Sequence, residues 1–448
     1  MTNPPVHLDS DATEPASDLP QGRLSDPSSA GGSAARAAHV DQELRRYEKT
    51  YILPLNSDIS RYDIVRLASN EPVEDEHAEA VLPVPSGYWA FFGLFDGHSG
   101  RDTSVWLADN LVPAVTGALA DLYSRVANGS ANPASPPAPS EADVEHTLKD
   151  TFNRLDDDIV NVPLDIIFSS NSRHAAATLL APAWSGSCAL LSFYDSHSRL
   201  LYTAVTGDSR AVLGRQDSDD SGQPTGTYSV HVLTADQNGW NPLEQERMAA
   251  EHPGENTVRN GRVMGMGMSR AFGDARYKWS REVQHRLKRE YIGRTPLPDV
   301  KTPPYLTAEP AVTSIAVRPG DFLIMASDGL WEALTNEEAV GLVGLWKDMR
   351  SARSHGASSG VMLESAELPV QVQDHTETVR YRQWGAEKRF VSGDENAATH
   401  LLRNALGGAD VDLTAALLSM RAPRSRVYRD DITITVVFFA EDDRRTPA

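Results

Sequence analysis

The stretch that most constrains the fold is an apolar run that ends abruptly on polar residues, Phe91-Phe92-Gly93-Leu94-Phe95-Asp96-Gly97-His98-Ser99-Gly100. A short apolar run bounded by glycine predicts a buried β-strand. Its end brings together a carboxylate, a closely approachable backbone carbonyl and an imidazole. Such a trio suits a hard metal ion that activates water, with a proton donor beside it. Asp-Gly is also a common turn dipeptide, so this stretch alone leaves a plain turn open as the alternative.

Composition limits the classes of protein that need to be considered. The chain has 448 residues, 40% of them hydrophobic, which is enough for one large or two medium domains with a buried core. A formal net charge of -20 argues against general nucleic-acid binding, which needs a basic surface. Cys188 is the only cysteine, so an intrachain disulfide and a cysteine-based zinc site are excluded. No apolar run is long enough to predict a membrane span.

Residues 1 to about 45 are rich in Pro, Ser, Ala, Gly and Asp, and this composition predicts a disordered arm. Their start has neither the basic residues nor the apolar core of a secretory signal. It also differs from a mitochondrial presequence, because four acids precede any Lys or Arg: Asp9, Asp11, Glu14 and Asp18. A polar tail is predicted for residues 441–448 at the other end.

Strands and helices alternate in clusters between these ends. Residues 78–84 and 89–95 predict two strands joined by a turn, and residues 187–194 and 200–213 predict a second hairpin. Apolar residues every three or four positions predict helices after Gly100 and over residues 144–159, and two successive helices suggest a layer outside a sheet. Residues 128–142 form a low-complexity loop. Residues 350–394 are polar without a clear period and predict an inserted, partly mobile region.

Residues 278–294 predict an amphipathic helix with a basic face in an otherwise acidic protein. Such a face is more often simply solvated, and docking of an acidic partner is the minority alternative.

Carboxylates interrupt or border the apolar strands at four places: Asp96, Asp208, Asp328 and Asp430/Asp431. A further acidic pair, Glu74-Asp75, precedes another strand. Several unpaired carboxylates at one edge repel each other unless cations bind between them. Ligand sets made only of oxygen suit Mg²⁺ or Mn²⁺, and two such ions favour in-line displacement at phosphorus. The alternative is that each aspartate only caps a turn. This alternative explains an aspartate at one strand end well, but it explains aspartates at four strand ends poorly.

Five motifs resemble those of the metal-dependent type 2C serine/threonine protein phosphatases and occur in that family's order. They are Phe95-Asp96-Gly97-His98-Ser99-Gly100, Gly207-Asp208-Ser209-Arg210-Ala211, Ser269-Arg270-Ala271-Phe272-Gly273-Asp274, Ser327-Asp328-Gly329-Leu330-Trp331 and Arg429-Asp430-Asp431-Ile432-Thr433. The resemblance covers roughly residues 60 to 440. Within the family the chain most resembles the pyruvate dehydrogenase phosphatases, through Leu67-Ala68-Ser69-Asn70 and Pro303-Pro304-Tyr305-Leu306-Thr307-Ala308-Glu309-Pro310 among other segments.

The resemblance implies an α+β fold for residues 46–440, a two-sheet antiparallel β-sandwich flanked by pairs of helices. It implies two Mg²⁺ or Mn²⁺ ions and a third, weaker site. The implied metal ligands are Glu74, Asp96 as the bridge, the Gly97 carbonyl, Asp208 for the third site, Asp328 and Asp430. His98 is implied as the general acid for the leaving oxygen, with direct attack of a metal-activated water on phosphorus. Asp430 is preferred to Asp431, because relatives often carry Asn at the position of Asp431. No cysteine nucleophile is needed, so Cys188 is predicted to be an ordinary buried residue.

The chain departs from the family pattern at two positions. Many relatives carry a phosphate-binding arginine where this chain has Asn70, so Asn70 or Arg66 becomes the candidate contact for phosphate, with a surface salt bridge as the other role for Arg66. Glu332 stands where many relatives have Asp.

The leading functional prediction is an active phosphoprotein phosphatase, and the alternative is a catalytically silent scaffold that keeps the fold. The resemblance implies phosphorylated pyruvate dehydrogenase E1 as substrate and the mitochondrial matrix as location. The acidic N-terminus favours the cytoplasm as the alternative location.

Overall fold

The computed structural model describes residues 30–55, 57–129, 138–353, 362–371 and 378–441. The helices are α1 (Ala30–Leu44), α2 (Asp102–Asn128), α3 (Glu141–Val160), α4 (Val162–Ser170), α5 (Arg173–Leu179), α6 (Ala181–Trp184), α7 (Pro242–Glu251), α8 (Arg281–Glu290), α9 (Asp328–Trp331), α10 (Asn336–Arg353), α11 (Val379–Trp384), α12 (Ala397–Ala405), α13 (Val411–Ser419) and α14 (Ser425–Tyr428). The strands are β1 (Lys49–Ile52), β2 (Ile59–Leu67), β3 (Glu76–Val84), β4 (Gly87–Phe95), β5 (Gly97–His98), β6 (Gly186–Ser187), β7 (Ala189–Asp195), β8 (Leu200–Thr206), β9 (Arg210–Ser218), β10 (Pro224–Val232), β11 (Val258–Arg259), β12 (Arg262–Val263), β13 (Phe272–Gly273), β14 (Ala311–Ala316), β15 (Phe322–Ala326), β16 (Met362–Leu363), β17 (Phe390–Val391) and β18 (Ile432–Phe439). Short 3₁₀ helices cover Ala275–Tyr277 and Ser365–Glu367.

Two antiparallel sheets form the centre of the protein. One has the strand order β1-β2-β18-β15-β9-β10, and the other has the order β14-β8-β7-β4-β3. Their facing side chains form one buried cluster, to which β4 contributes Phe92 and Leu94 and β15 contributes Leu323 and Met325. The predicted α+β sandwich is confirmed.

The alternating directions of side chains in β4 explain its continuous apolar sequence. Phe92 and Leu94 point into the sandwich, whereas Phe91 and Phe95 pack against the helical layer outside it. Because both faces of the strand are buried, its sequence does not alternate between apolar and polar residues. Helices α2 and α3 cover this sheet, and α10 and α12 cover the other, which gives four layers.

Several local predictions are confirmed. The first hairpin, β3 and β4, turns at residues 85–86, and α3 begins after Ser140, whose side chain accepts a hydrogen bond from the Asp143 N–H. Within the predicted loop 128–142, residues 130–137 lie outside the described part of the chain.

The second predicted hairpin is wrong beyond Thr206. Strand β8 pairs with β7 in one sheet, but the chain then crosses at Gly207-Asp208-Ser209 and continues as β9 in the other sheet. Gly207 makes this crossing possible with a φ of 110°, a backbone conformation that side chains rarely allow. The interruption read from the sequence is therefore the point at which the chain changes sheets.

The prediction of a disordered arm to residue 45 is wrong for residues 30–44, while residues 1–29 lie outside the described part. Helix α1 packs against α13, and the side chains of Val40 and Leu44 are buried in the core beside β2 and α12. Val40 and Leu44, four positions apart, form only a small apolar face. In a segment rich in alanine and glycine, such a face is a weak sequence signal for a helix that packs on the core.

Replacing Leu44 with alanine is expected to lower the free energy of unfolding by about 2–5 kcal/mol, because the change leaves a cavity between α1 and the core. Urea denaturation measures this difference. Gln42→Ala, at an exposed position of the same helix, is the matched control and should change stability by less than about 0.5 kcal/mol. Equal midpoints for Leu44→Ala and the wild type would show that α1 does not contribute to the core.

The inserted region predicted at residues 350–394 is packed against the core in the parts that the structure describes. Strands β16 and β17 pair, and the side chains of Leu368, Tyr381 and Phe390 are buried with α10 and α12. Tertiary contacts with α10 and α12 order this polar segment. Residues 354–361 and 372–377 lie outside the described part of the chain.

The predicted basic helix is present as α8, capped by Ser280. Part of its charge is used within the protein, since Lys278 pairs with Asp156 at 2.7 Å and Arg286 lies over the ring of Phe168. Docking of an acidic partner on its remaining basic residues stays a prediction. In the described part of the chain, no helix combines the length and apolarity needed to cross a membrane.

Candidate metal centre

Three predicted ligands meet at one end of the sandwich. Asp96 follows β4, Asp208 lies at the crossing between β8 and β9, and Asp328 begins α9 directly after β15. One carboxylate oxygen of each lies within 4.8 Å of those of the other two. Two strands of one sheet and one strand of the other therefore bring these carboxylates into the reach of a single cation.

The electrostatics of this cluster call for positive charge. Burial raises the pKa of Asp96 well above its ordinary range, and repulsion by Asp328, Asp75 and Asp208 raises it further. Burial also raises the pKa of Asp328, and Asp208 and Asp430 add to the effect. Divalent ions would relieve this repulsion, and an all-oxygen set is the one that Mg²⁺ and Mn²⁺ prefer. The residues thus fit the metal that the sequence predicted.

Glu74 and Asp430 flank the three central aspartates. Glu74 Oε1 accepts a hydrogen bond from the Gly100 N–H at 2.8 Å, which ties it to the turn after His98. Asp430 contributes to the raised pKa values of both Asp96 and Asp328. Gly97 lies against the backbone of Glu74, and a side chain at position 97 would overlap the Glu74 carbonyl. Small size at Gly97 therefore lets the two loops approach.

Asp431 has a different environment from Asp430. Its carboxylate accepts hydrogen bonds from the backbone N–H groups of Ser69, Asn70 (2.9 Å) and Glu74 (2.9 Å), and from the Asn70 side chain (3.0 Å). Its oxygens are thus occupied in shaping the loop that carries Glu74. This geometry favours Asp430 as the ligand, as predicted.

Asp75 belongs to the cluster, although the sequence reasoning did not single it out as a site residue. Burial, followed by repulsion from Asp431, raises its pKa to about 8. Its Oδ2 accepts hydrogen bonds from Ser327 (2.9 Å) and Thr433 (2.8 Å), while its Oδ1 is buried without a hydrogen-bond partner among the described residues. The sequence feature that could have identified Asp75 as a site residue was its position beside Glu74.

His98 pairs with Asp274, which lies 176 positions later in the chain. His98 Nε2 lies 2.5 Å from Asp274 Oδ2, and the small sheet β13-β6-β5 brings the two together. Burial lowers the pKa of His98, but the charge and hydrogen bond of Asp274 outweigh it, so the pKa is raised above 6.5. This shift favours the protonated imidazole, which is the form that a general acid requires. Sequence reasoning quoted Asp274 within a motif but gave it no role.

Cys188 is buried, as predicted, and it also contacts the cluster. Its Sγ donates a hydrogen bond to Asp208 Oδ1 at 3.2 Å. Burial raises the pKa of this thiol, and the neighbouring Asp208 and Asp96 carboxylates raise it further. The thiol therefore stays neutral and is no nucleophile.

The two candidate phosphate contacts both have partners within the protein. Arg66 Nη1 donates to the Asp75 carbonyl (3.0 Å) and to Glu76 Oε2 (2.7 Å). The Asn70 Nδ2 group donates to Glu74 and Asp431. Glu332, the second departure from the family pattern, pairs with Arg380 of the insert, whose Nε lies 2.6 Å from its Oε2.

Residues 70–360 match the family model described as protein phosphatase 2C. The chain belongs to the protein phosphatase 2C family. A protein phosphatase 2C homologue of Schizosaccharomyces pombe is 43% identical over 409 residues, covering 90% of this chain and 85% of that protein.

Two further relatives carry a more specific name, mitochondrial pyruvate dehydrogenase (acetyl-transferring) phosphatase 1. The protein from Saccharomyces cerevisiae is 37% identical, covering 91% of this chain and 73% of its own length. The human protein is 31% identical, covering 86% of this chain and 78% of its own length. Among solved structures, a serine-threonine phosphatase 2C from Toxoplasma gondii matches 88% of this chain and 99% of its own, with 20% identity and a TM-score of 0.47.

The chain is therefore a metal-dependent protein serine/threonine phosphatase, and its substrate is a phosphoprotein. Members of the family depend on Mg²⁺ or Mn²⁺, and the carboxylates of Asp96, Asp208 and Asp328 lie close enough together to hold such an ion.

Replacing Gly186 with alanine is expected to lower activity on a phosphoserine peptide by about 10²–10⁴-fold, the usual contribution of a general acid. The reason is steric, because a Cβ at this position would overlap both His98 Nε2 and Asp274 Oδ2. Steady-state kinetics measure the loss, with Mn²⁺ binding as the check on folding. Gly117→Ala, in α2 with no atom within 4 Å of the added Cβ, is the control and should keep full activity. A fully active Gly186→Ala enzyme would show that the His98–Asp274 contact is dispensable.

Proposed function

We propose that this phosphatase removes phosphate from serine or threonine residues of the E1 component of pyruvate dehydrogenase in the mitochondrial matrix. The observation that carries the substrate proposal is the similarity to mitochondrial pyruvate dehydrogenase phosphatases, which extends over 86–91% of the chain.

The site proposal assigns two divalent ions and a third, weaker one to the acidic cluster. Asp96 would bridge two ions, and the Gly97 carbonyl and Glu74 would hold one of them. Asp328 and Asp430 would hold the other, and Asp208 would help bind the third. The mutual repulsion that raises the pKa values of Asp96 and Asp328 supports this arrangement. When bound, the ions supply an activated water for attack on phosphorus.

The protein's own groups orient this reaction. Asp431 holds the backbone of the Glu74 loop, and this fixes one side of the cluster. His98, whose protonated form is favoured by Asp274, would donate its proton to the leaving serine or threonine oxygen. Its Nδ1 is buried without a hydrogen-bond partner among the described residues, so this nitrogen is available for the transfer.

The test is hydrolysis of two substrates, p-nitrophenyl phosphate and phosphorylated E1, with Mg²⁺, Mn²⁺ or EDTA. We expect both activities with metal and neither with EDTA. Full activity in EDTA would overturn the metal mechanism. Activity on the small substrate alone would overturn E1 as substrate, and no activity with any divalent ion or phosphoprotein would favour the silent-scaffold alternative.

The proposed location has a separate test, imaging of a C-terminally tagged protein. Signal inside mitochondria is the expected result. A cytoplasmic signal would contradict the matrix proposal without affecting the enzymatic one.

A further inference from the structure

When only its two strongly held ions are bound, before the third and weaker ion binds, the acidic cluster keeps a net negative charge. Its five predicted carboxylate ligands outnumber the positive charge of two divalent ions by one. A phosphate dianion entering such a site needs a further cation to be attracted rather than repelled. In this chain Asn70 supplies no charge, and its amide already donates to Glu74 and Asp431.

Arg66 is poorly placed for this role. Its guanidinium donates to the Asp75 carbonyl and pairs with Glu76 at 2.7 Å, and its side chain is only 24% exposed. Binding a phosphate there would require breaking an ion pair between strands β2 and β3.

Arg426, on α14, lies at the rim of the cluster. Its Nη1 is 3.5 Å from Glu74 Oε2, its Nη2 is 3.4 Å from Asp430 Oδ2, and its side chain is 40% exposed. These are long contacts for a group with five N–H donors, so donors remain for an incoming anion. Its positive charge also acts on the carboxylates of the site. Burial raises the pKa values of Glu74 and Glu332, and the charge of Arg426 lowers both of them.

The helix that carries Arg426 is fixed by the insert. The Gln383 side chain donates to the Val427 carbonyl at 2.8 Å, and the Trp384 indole donates to the Tyr428 carbonyl at 3.0 Å. On its other side, the Ser425 hydroxyl donates to the Ser69 carbonyl, next to Asn70. The backbone at residue 426 is thus held in position before any substrate arrives, which reduces the entropic cost of binding.

We propose that Arg426 binds the substrate phosphate and takes the place of the arginine that many relatives carry at position 70. This inference rests on the proposed phosphatase site but not on the identity of its protein substrate. The planar guanidinium can donate two parallel hydrogen bonds to phosphate oxygens while the carboxylates of Glu74 and Asp430 turn toward the metal ions. The insert then has a function, which is to position α14.

The test compares Arg426→Ala, Arg426→Lys and Arg424→Ala in the full chain. Arg424 is an exposed arginine two residues away and serves as the matched control. Three quantities are measured: KM for a phosphoserine peptide, inhibition of p-nitrophenyl phosphate hydrolysis by inorganic phosphate, and Mn²⁺ affinity by calorimetry.

For Arg426→Ala we expect KM and the inhibition constant of phosphate to rise about 10–100-fold, the usual loss for a charged hydrogen bond. Mn²⁺ affinity should be unchanged or higher, because a competing cation is removed. Arg426→Lys should recover part of the loss, since it keeps the charge without the fork, and Arg424→Ala should match the wild type.

A second experiment tests whether an arginine at position 70 can bind the substrate phosphate in place of Arg426. Adding Asn70→Arg to Arg426→Ala should restore phosphate inhibition toward the wild-type value. If Arg426→Ala does not fold, Arg426→Gln, of similar length, replaces it in both designs.

The proposal is overturned if phosphate inhibition is unchanged, or if weaker Mn²⁺ binding accounts for the entire loss of activity. Both readouts use small anions and the metal alone. Failure to act on E1 would therefore leave this inference standing, and its own failure would leave the E1 proposal standing.

Discussion

Replacing Asp96 with asparagine is expected to lower metal-dependent phosphatase activity by roughly a thousandfold or more. Metal-ion catalysis supplies several kcal/mol of charge stabilisation, and each 1.4 kcal/mol is tenfold in rate. A carboxylate oxygen of Asp96 lies within 4.8 Å of those of Asp208 and Asp328, and Asp96 is the proposed bridge between two ions, so its loss should affect more than one ion in the cluster. Measurement of kcat/KM on a phosphoserine peptide with saturating Mn²⁺ checks this expectation.

The same substitution should have the opposite effect on the stability of the metal-free protein. Burial and repulsion raise the pKa of Asp96 in the folded state above its unfolded value. Such a carboxylate destabilises the fold near neutral pH, and this penalty disappears as the pH falls below the unfolded pKa. Without metal, Asp96→Asn should therefore be as stable as the wild type or more stable near neutral pH. Added Mn²⁺ should stabilise the wild type much more than the variant.

Asp121→Asn, at an exposed position of α2, is the control for both measurements and should change neither. If Asp96→Asn instead lost stability without metal in proportion to its loss of activity, Asp96 would be a turn-forming residue. That was the alternative left open by its sequence.

Replacing His98 with glutamine is expected to separate two kinds of substrate. Activity on a phosphoserine peptide should fall about 10²–10⁴-fold, because the departing alkoxide needs a proton. Activity on p-nitrophenyl phosphate should fall much less, because p-nitrophenolate leaves without protonation. The ratio of the two kcat values for variant and wild type is the decisive measurement.

The pH dependence of the wild type should agree with this role. Burial lowers the pKa of His98, but the charge and hydrogen bond of Asp274 outweigh it and raise the pKa above its ordinary value, so the acid form persists to higher pH than in a free imidazole. Activity on the peptide should decline on the alkaline side as this proton is lost, and His98→Gln should lack that decline. His146→Gln, at an exposed histidine of α3, is the control. An equal loss on both substrates would show that His98 positions the substrate and does not protonate the leaving group.

Local patterns carried much of the prediction of the fold. The periodicity of residues 144–159 predicted α3 correctly because one face of that helix packs on a sheet. The apolar run before Asp96 predicted β4 correctly because both of its faces are buried. The second hairpin failed because the interruption at Gly207-Asp208 does not by itself show that the chain changes sheets, and the apolar pattern resumes in β9.

Tertiary contacts order both the N-terminal segment that was predicted to be disordered and the insert that was predicted to be partly mobile. Helix α1 is ordered by packing on α13, and the described insert by packing on α10 and α12. Their compositions are those of flexible segments. The partner of α1 lies far away in the chain, whereas the partners of the insert are the helices that flank it, and in both cases tertiary packing offsets the entropy of ordering.

By itself, the sequence determined strands such as β4, helices such as α3 and the placing of a carboxylate at several strand ends, because these follow from side-chain period and turn chemistry. Only the tertiary structure decided how those groups act together. It places Asp274 beside His98 and Arg426 at the rim of the cluster. It also directs the carboxylate of Asp431 to hydrogen bonds with the loop that carries Glu74. His98 is separated from Asp274, and Glu74 from both Asp431 and Arg426, by well over a hundred residues. Such contacts depend on how the two sheets and the insert pack, and no local spacing encodes that packing.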